Sequence, residues 1–319
     1  YDWMKIPGAT IVQLDKMPGE NEIQKWGLTD YVGAVTDGTY GAVGFDFKSP
    51  HTGLAARKAW FFFDKTYVCL GTNISSRMKN QVLTTVNQCP LNGEVTVSDA
   101  DGIHPQELGS RMKKEVRWVV HDKVGYYFLK KENVILSNQH MEGSWKIANR
   151  QTTTPTDIIR QDVFTLSIDH GSSPNNGGYA YMVIPSSDPQ SIEKKVEEEG
   201  VVILANCPDL QAVRHGGLNM AYAVFYKGGT LQVHDKIVVE MDSPGMLMVK
   251  YNDVGEILAL GVSDPTRFMK KLHLSVNQKI VWPAQENIQT EWDEKQALTR
   301  ISVDLPQNEY AGKSVIYNK

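Results

Sequence analysis

The sequence predicts an all-β protein built from antiparallel β-sandwiches. Short apolar runs with the alternation of half-buried strands recur along the chain, and turn residues such as glycine, proline, asparagine and aspartate separate them. A single segment, Ser186 to Glu199, has a helical pattern, with a cap at Ser187 and Pro189 near the first turn. Many short strands with one surface helix favour sandwiches over a parallel sheet, because parallel strands need a helical crossover between them.

The first 48 residues lead into these strands. Residues 1–35 carry the turn signals Pro7-Gly8 and Pro18-Gly19, which predict a surface segment, and Trp26 is its exposed aromatic residue. Residues 36–48 begin with an Asp37-Gly38 turn and continue with alternating apolar residues, which predicts a strand.

The stretch from Ala59 to Ile74, AWFFFDKTYVCLGTNI, predicts a central hairpin. Two aromatic and β-branched runs flank Asp64-Lys65, and a two-residue gap is hairpin spacing. Both faces of the first run are apolar, so we expect that strand to be covered on both sides. Cys69 lies in the second run and is expected to be buried.

Further strands are predicted along the rest of the chain. They are Gln81–Val86, Glu94–Val97, Val116–His121, Val124–Leu129, Asn133–Leu136, Asp162–Ile168, Tyr179–Ile184, Val201–Ala205, Leu210–His215, Ala221–Phe225, Thr230–Val233, Lys236–Met241, Gly245–Tyr251, Ile257–Val262, His273–Val276 and Thr299–Leu305. From Gly228 onward the chain holds short strands alone. We therefore predict a domain boundary near Gly228-Gly229, with one domain over 1–228 and a second over 229–319.

Composition narrows the classes of function. The 319 residues carry a formal net charge of -4, which argues against nucleic acid as the main partner. No run is long and apolar enough to span a membrane, so no membrane partner is expected. Three cysteines fit no zinc or redox spacing. The chain begins at Tyr1 without an initiator methionine, which leads us to expect a processed chain or a fragment.

Several histidines could carry chemistry. Asp169-His170 precedes a glycine-rich loop, but a serine hydrolase would need a nucleophile on a recognisable turn, and no GxSxG is present. We favour a histidine at a strand end whose ring is hydrogen-bonded in a turn. His121-Asp122 and His215 match no metal-ligand spacing, and the glycine pairs at 177–178 and 216–217 lack the lysine of a phosphate loop.

Tryptophans and basic residues suggest contacts with a ligand. Trp60, Trp118 and Trp145 fall in or near strand patterns and are predicted to be core residues. Trp26 stands among polar residues, which suits stacking on a sugar ring, although a packed loop anchor has the same pattern. Two basic groups, Arg57-Lys58 and a second at Arg111, Lys113, Lys114 and Arg117, could meet an acidic polymer or form solvated faces.

A series of blocks in fixed order resembles polysaccharide lyase family 8, the chondroitin AC and hyaluronate lyase-like enzymes. The blocks are DWMKIPGAT, AVTDGTYGA at 34–42, KAWFFFDKTYVCLGTNI at 58–74, LTTVNQ at 83–88, HDKVGYYF at 121–128, IDHGSSPNNGGYAYMVIP at 168–185, LANCPDLQAV at 204–213 and AYAVFYKGG at 221–229. In that family an N-terminal α/α toroid precedes a large antiparallel β super-sandwich and a small C-terminal β-sandwich. The resemblance implies that this chain comprises the last two parts.

The resemblance also implies a β-elimination in which a uronic acid carboxylate is neutralised, the C5 proton is removed and the C4–O bond breaks. The family's catalytic Asn, His, Tyr and Arg lie on the toroid, so none is assigned here and the chain alone is expected to be inactive. Trp26 matches a tryptophan that stacks on substrate. Asp2 matches one position of a calcium site, but Met4, Gln13 and Leu14 replace other ligands, so no metal, or weakly held calcium, is expected.

The expected partners are an acidic polysaccharide, chondroitin sulfate or hyaluronan, and the toroid, which could be a separate chain. The expected location is secreted or periplasmic in a bacterium. A stand-alone carbohydrate-binding or structural β-sandwich protein is the alternative, and a hydrolase that uses Asp169 and His170 is a third hypothesis.

Overall fold

The structure is a computed structural model that describes residues 1–16, 18–22, 24, 26–149 and 151–319. These residues form mostly antiparallel strands, which confirms the all-β prediction. The first twelve strands are β1 (Thr10–Val12), β2 (Val32–Thr36), β3 (Gly41–Lys48), β4 (Ala55–Phe62), β5 (Tyr67–Ser75), β6 (Gln81–Pro90), β7 (Val95–Asp99), β8 (Gly102–Pro105), β9 (Gly109–His121), β10 (Val124–Gly143), β11 (Ile159–Ser172) and β12 (Gly177–Pro185).

The remaining strands are β13 (Val201–Cys207), β14 (Leu210–His215), β15 (Met220–Phe225), β16 (Gly229–His234), β17 (Ile237–Met241), β18 (Gly245–Tyr251), β19 (Ile257–Ser263), β20 (Lys271–Val276), β21 (Ile288–Asp293), β22 (Leu298–Asp304) and β23 (Val315–Asn318). Helices α1 (Trp145–Ala148) and α2 (Ile192–Glu199) are short, and 3-10 turns lie at Glu20–Glu22 and Asn308–Tyr310. None of the helices in the described part of the chain has the length and apolar content needed to cross a bilayer.

The chain divides into two compact units. The first comprises residues 1–23, 51–54 and 75–192. Its strands follow the order β1-β6-β11-β10-β12, and β9 joins β10 to the β7–β8 hairpin. Trp118 is fully buried in this unit, as predicted, and the His121 ring stacks on Phe164 with centroids 4.3 Å apart.

The second unit comprises residues 24–50, 55–74 and 193–319. Strands β13-β14-β15-β18-β19-β23 form one sheet and β16-β17-β20-β22-β21 form another, and a continuous apolar core fills the space between them. Strands β5-β4-β3-β2 pack on the outer face of the six-stranded sheet, where a Cβ on Gly44 would lie 2.5 Å from the Val224 side chain. Only glycine therefore fits at that contact. The predicted domain boundary near Gly228-Gly229 stays a prediction.

The central hairpin forms as strands β4 and β5. The expectation that its first strand is covered on both faces is wrong for one of them. Phe61 and Phe63 are buried, whereas the Phe62 side chain is 43% exposed and Trp60 is half-buried. Cys69 is buried as predicted. The turn closes with the Phe63 N–H donating to the Thr66 carbonyl at 3.0 Å. This part of the sheet is thus covered fully on one face alone.

Other expectations need correction. The runs 124–129 and 133–136 belong to one strand, β10, which continues through a register shift at Glu132. The α2 helix begins later than predicted, at Ile192, because the Asp188 carboxylate accepts the N–H groups of Gln190 and Ser191 and caps the preceding turn. Trp145 was predicted to be core, yet it starts the one-turn α1 helix and is 58% exposed.

Candidate functional site

Trp26 lies on the segment that leads into β2, and its side chain is 80% exposed. Leu28 and Val32 on the same segment are also exposed. Lys25, which precedes Trp26, lies outside the described residues. An exposed indole between polar residues can offer its face to a ligand at no cost in core packing.

The chain beyond Trp26 is fixed to the protein interior. The Thr29 hydroxyl donates to the Asp46 carbonyl, and the Asp46 N–H donates to the Tyr31 carbonyl at 2.9 Å. Tyr31 is buried, and its hydroxyl lies 3.0 Å from the carbonyl oxygens of Phe225 and Gly245. Burial raises the pKa of Tyr31 well above its ordinary value, so the hydroxyl stays protonated and donates. Tyr31 therefore anchors the base of the segment that carries Trp26.

A second buried tyrosine extends this anchor. The Tyr31 and Tyr226 rings lie 4.9 Å apart, and the Tyr226 hydroxyl donates to Gln211 Oε1 at 2.9 Å. The Arg57 guanidinium lies 4.7 Å over the Tyr226 ring and 3.5 Å from the Asp46 carboxylate. Sequence reasoning singled out Arg57 but not Tyr31, whose partners lie about 200 residues away in the chain.

The Arg57-Lys58 pair is not a solvated basic face. Arg57 is engaged by Asp46 and the Tyr226 ring. Lys58 is buried, with its ammonium 5.3 Å over the Trp60 ring, and burial lowers the pKa of Lys58 to about 8. An acidic polymer binds to cations that are exposed to solvent, and neither Arg57 nor Lys58 is exposed.

The second basic group lies on one strand, β9, and consists of Arg111, Lys113, Lys114 and Arg117. Lys113 pairs with the buried Asp99 carboxylate at 3.4 Å, and Arg117 lies over the Tyr127 ring at 5.9 Å. Arg111 lies 3.7 Å from an exposed glutamate, Glu107. Part of this group is thus neutralised within the fold.

Asp169 and His170 do not form a hydrolase arrangement. The Asp169 carboxylate accepts the Gly171 N–H at 2.8 Å, near the end of strand β11 where its pairing with β6 is irregular. The His170 Nε2 lies 2.8 Å from the hydroxyl of Thr84, which is buried and also bonded to Thr10. His170 thus lies near a strand end, as predicted, but its ring bonds across the sheet to strand β6 and not within a turn.

The other two histidines that the sequence singled out are held by neighbouring groups. His215 Nε2 donates to the Glu199 carboxylate at 2.6 Å, while its Nδ1 accepts the Leu218 N–H. His121 Nε2 accepts the Asn92 N–H, and burial lowers the pKa of His121. Among the described residues, no group of three or more His, Cys, Asp or Glu is placed to hold a metal ion.

The residues around Asp2 do not fit a calcium cage. The Asp2 carboxylate accepts the Met4 N–H at 2.9 Å and pairs with the Lys5 ammonium at 3.0 Å. The Gln13 amide nitrogen donates to the Met4 and Ile11 carbonyls. Calcium requires six or more oxygen ligands, and an ammonium on the one carboxylate would compete with it.

Two concave surfaces lie elsewhere. An apolar groove of about 210 Å³ in the first unit is lined by Tyr1, Trp3, Trp145, Ile147 and Ile159 together with neighbouring β10 and β11 residues. A polar trough of about 710 Å³ crosses the five-stranded sheet of the second unit, and its charged residues are Glu240, Asp242, Glu291 and Arg300.

The fold defines an antiparallel β-sandwich protein with two compact units. Residues 1–196 match the super-sandwich domain of polysaccharide lyase family 8, and residues 202–273 match the C-terminal beta-sandwich domain of the same family. The chain belongs to polysaccharide lyase family 8.

Several known proteins resemble the chain over most of its length. It is 35% identical to chondroitinase-AC of Pedobacter heparinus, over 99% of this chain and 42% of that protein. It is 29% identical to a hyaluronate lyase of Thermasporomyces composti, over 88% of this chain and 35% of that protein. The chain thus spans about two-fifths or less of the length of these relatives.

Solved structures agree with the fold. A structure of chondroitinase AC lyase determined in oligosaccharide complexes superposes with a TM-score of 0.84 at 35% identity, over 99% of this chain and 44% of that one. Xanthan lyase of Paenibacillus superposes with a TM-score of 0.85 at 23% identity, over 99% of this chain and 30% of that one, a likeness of fold alone.

Proposed function

We propose that this chain is the β region of a lyase that cleaves chondroitin, hyaluronan or a similar uronic-acid-containing polysaccharide by β-elimination. The observation that carries the proposal is the 35% identity to chondroitinase-AC over 99% of the chain, with a matching fold at a TM-score of 0.84. At that identity, in a family whose named relatives are lyases, a shared reaction class is the simplest account.

The catalytic Asn, His, Tyr and Arg are assigned to an N-terminal α/α toroid outside these 319 residues. Two observations support the assignment of catalysis to the toroid and of sugar binding to this chain. The three histidines that the sequence singled out, His121, His170 and His215, are each bonded to a neighbouring group, and the exposed Trp26 lies on a segment that Tyr31 anchors. In this proposal Trp26 stacks on a sugar ring while the toroid supplies the acid–base groups. The enzyme acts outside the cytoplasm, as a secreted or periplasmic protein, where polymeric substrate is available.

The test is turnover measured with and without a toroid. The purified chain is compared with a chimera that joins the chondroitinase-AC toroid of Pedobacter heparinus to Tyr1, and the isolated toroid is the control. Chondroitin sulfate and hyaluronan are each supplied, and the unsaturated product is followed by its ultraviolet absorbance. We expect product from the chimera and none from the chain or the toroid alone.

Two results would count against the proposal. Robust turnover by the chain alone would contradict the assignment of catalysis to the toroid, and the His170→Ala variant would then test the hydrolase hypothesis. A correctly folded chimera that binds polysaccharide but releases no product would favour the alternative, a stand-alone carbohydrate-binding or structural protein.

A further inference from the structure

Two loops meet at one end of the five- and six-stranded sheets in the second unit. Loop 264–270 connects β19 to β20, and loop 305–314 connects β22 to β23. The Leu305 N–H donates to the Lys270 carbonyl at 2.8 Å, and the Gln307 side-chain amide donates to the Met269 carbonyl at 3.0 Å. The two loops therefore form one continuous surface.

A buried carboxylate holds the first loop in shape. Asp264 is almost fully buried and accepts the Thr266 N–H and the Met269 N–H, each at 2.8 Å. Arg267 at the loop tip has a φ of 66°, a left-handed conformation that is uncommon for a residue with a side chain. Its stem packs over Gly312, where a Cβ would lie 3.2 Å from Arg267 Cγ. The tip is thus presented in a defined position.

Two large aromatic side chains project from this surface. Phe268 is 75% exposed and Tyr310 is 59% exposed. Exposed apolar residues are ordinary when they occur singly. Here one stands in each of two hydrogen-bonded loops, and the Lys313 ammonium lies 5.9 Å over the Tyr310 ring.

The same surface is locally positive although the chain is negative overall. Arg267, Lys270 and Lys313 are exposed, and within the described residues none of them forms an ion pair. The adjacent Lys271 is already neutralised by Asp304 at 2.9 Å, so Glu309 is the carboxylate that remains exposed between residues 305 and 314. Counting the buried Asp264 carboxylate as well, three exposed cations stand against two anions, so the surface keeps a positive excess that attracts an acidic ligand.

We propose that Arg267, Phe268, Lys270, Tyr310 and Lys313, here called the aromatic–basic patch, bind an acidic polysaccharide. Such a polymer presents apolar sugar faces, which stack on aromatic rings, and carboxylate or sulfate groups, which pair with guanidinium and ammonium groups. Because the choice of ligand rests on the proposed function, the patch would hold the polymer that the enzyme cleaves.

The other concave surfaces fit this ligand less well. Carboxylates outnumber permanent cations in the polar trough, where Glu240, Asp242 and Glu291 face Arg300, so a polyanion is repelled there. The apolar groove is bordered by Glu142, whose charge Arg160 already balances at 2.6 Å.

The experiment measures binding of the full 319-residue chain to chondroitin sulfate by calorimetry at several salt concentrations, with neutral dextran and duplex DNA as comparison ligands. One variant combines Arg267→Gln, Lys270→Gln and Lys313→Gln. A second combines Phe268→Ala with Tyr310→Ala. The matched control, Lys65→Gln with Lys227→Gln and Lys295→Gln, removes three exposed lysines from other loops and changes the net charge equally.

We expect the cation variant to bind chondroitin sulfate about tenfold more weakly, with a shallower salt dependence. The aromatic variant should lose about tenfold in affinity and keep the salt dependence, because its charges remain. The control should bind like the wild type. Circular dichroism and urea unfolding verify that all variants fold, which their exposed positions favour.

Four outcomes would overturn the proposal for the patch. Three are wild-type affinity in both patch variants, an equal loss in the control, and binding of duplex DNA as tight as that of chondroitin sulfate. The fourth is a wild-type chain that binds no chondroitin sulfate at low salt. None of these bears on turnover by the toroid chimera, so failure of the patch and failure of the proposed function are separate results.

Discussion

Trp26 and Tyr31 lie five residues apart on one segment and have opposite environments. The Trp26 indole faces solvent, whereas the Tyr31 ring is buried and its hydroxyl reaches the carbonyls of Phe225 and Gly245. An exposed side chain contributes little to folding, while a buried hydroxyl contributes through its hydrogen bond. The two residues should therefore separate ligand binding from stability.

We predict that Trp26→Ala changes the free energy of unfolding by less than about 0.5 kcal/mol and weakens binding of chondroitin sulfate roughly tenfold. Tyr31→Phe should lower the free energy of unfolding by about 1–2 kcal/mol, because a buried carbonyl loses its hydrogen-bond donor. Urea unfolding and calorimetry measure the two quantities. Leu28→Ala, an exposed apolar residue on the same segment, is the control. If Trp26→Ala unfolds the chain, Trp26 is a structural anchor and the site assignment is wrong.

Single residues differed in how far the sequence could predict their roles. Trp26 was predicted as a substrate contact from its polar neighbours and the family resemblance; the structure shows that its side chain is exposed, and the role stays a prediction. Tyr31 carried no local signal, because the groups it contacts are remote in sequence. Trp145 was assigned to the core on strand pattern, but it lies on a one-turn helix whose cap, Ser144, interrupts the strand.

At the scale of elements, the β4–β5 hairpin places two adjacent phenylalanines in different environments. Phe61 points toward the six-stranded sheet and is fully buried, while Phe62 points the other way and is 43% exposed. Alternation along a strand sends neighbours to opposite faces. Phe61 therefore buries more apolar surface than Phe62, although the two side chains are identical.

We predict that Phe61→Ala costs about 3–5 kcal/mol of stability, because it leaves a cavity in a packed core. Phe62→Ala should cost less than half as much, since part of its ring already contacts water. Chemical denaturation of the two variants makes the comparison, and each is the other's control. Equal losses would mean that the outer face of β4 is covered in solution.

Strands were predicted well where apolar and polar residues alternate clearly. They were predicted poorly where pairing with neighbouring strands, and not the local sequence pattern, decides how far a strand extends. The charged stretch Lys130-Lys131-Glu132 suggested a break between two strands, yet β10 passes through it because β9 and β11 pair with the continuing chain. Strand β21 was missed since it is an edge strand with exposed polar residues from Gln289 to Glu291. The loop residue Phe268 follows Arg267 and lies two residues before Lys270, an aromatic–basic signal that strand patterns do not capture.

On the scale of the whole molecule, the sequence could predict the fold class and the family but not how segments assemble. Residues 24–50 and 55–74 join 193–319 in one compact unit. Contacts of that range, such as Ser263 donating to the Ala34 carbonyl at 2.8 Å, follow from the packing of sheets and have no local pattern. The order of the blocks that resemble the family therefore predicted the fold, whereas the segments that make up each unit could be read only from the structure.

Stability of the whole chain should depend on pH through Lys58. Burial lowers the pKa of Lys58 to about 8 in the folded chain, against an ordinary value of 10.5. Between these values the unfolded chain holds a proton that the folded chain has released, so the free energy of unfolding rises with pH. Below about pH 8 both states are protonated, and the folded state bears the full cost of a buried charge.

We predict that Lys58→Met is more stable than the wild type at pH 7 by roughly 1–3 kcal/mol, because methionine fills the same space without a charge. The advantage should shrink steadily between pH 8 and pH 10 as wild-type Lys58 becomes neutral in the folded state. Urea unfolding at unit intervals of pH measures the difference, and effects of other titrating groups cancel between the two proteins. Lys65→Met, at an exposed lysine, should show no such trend. A difference that stays constant from pH 7 to pH 10 would show that Lys58 keeps its proton in the folded chain, and that the cation over Trp60 is stabilised despite its burial.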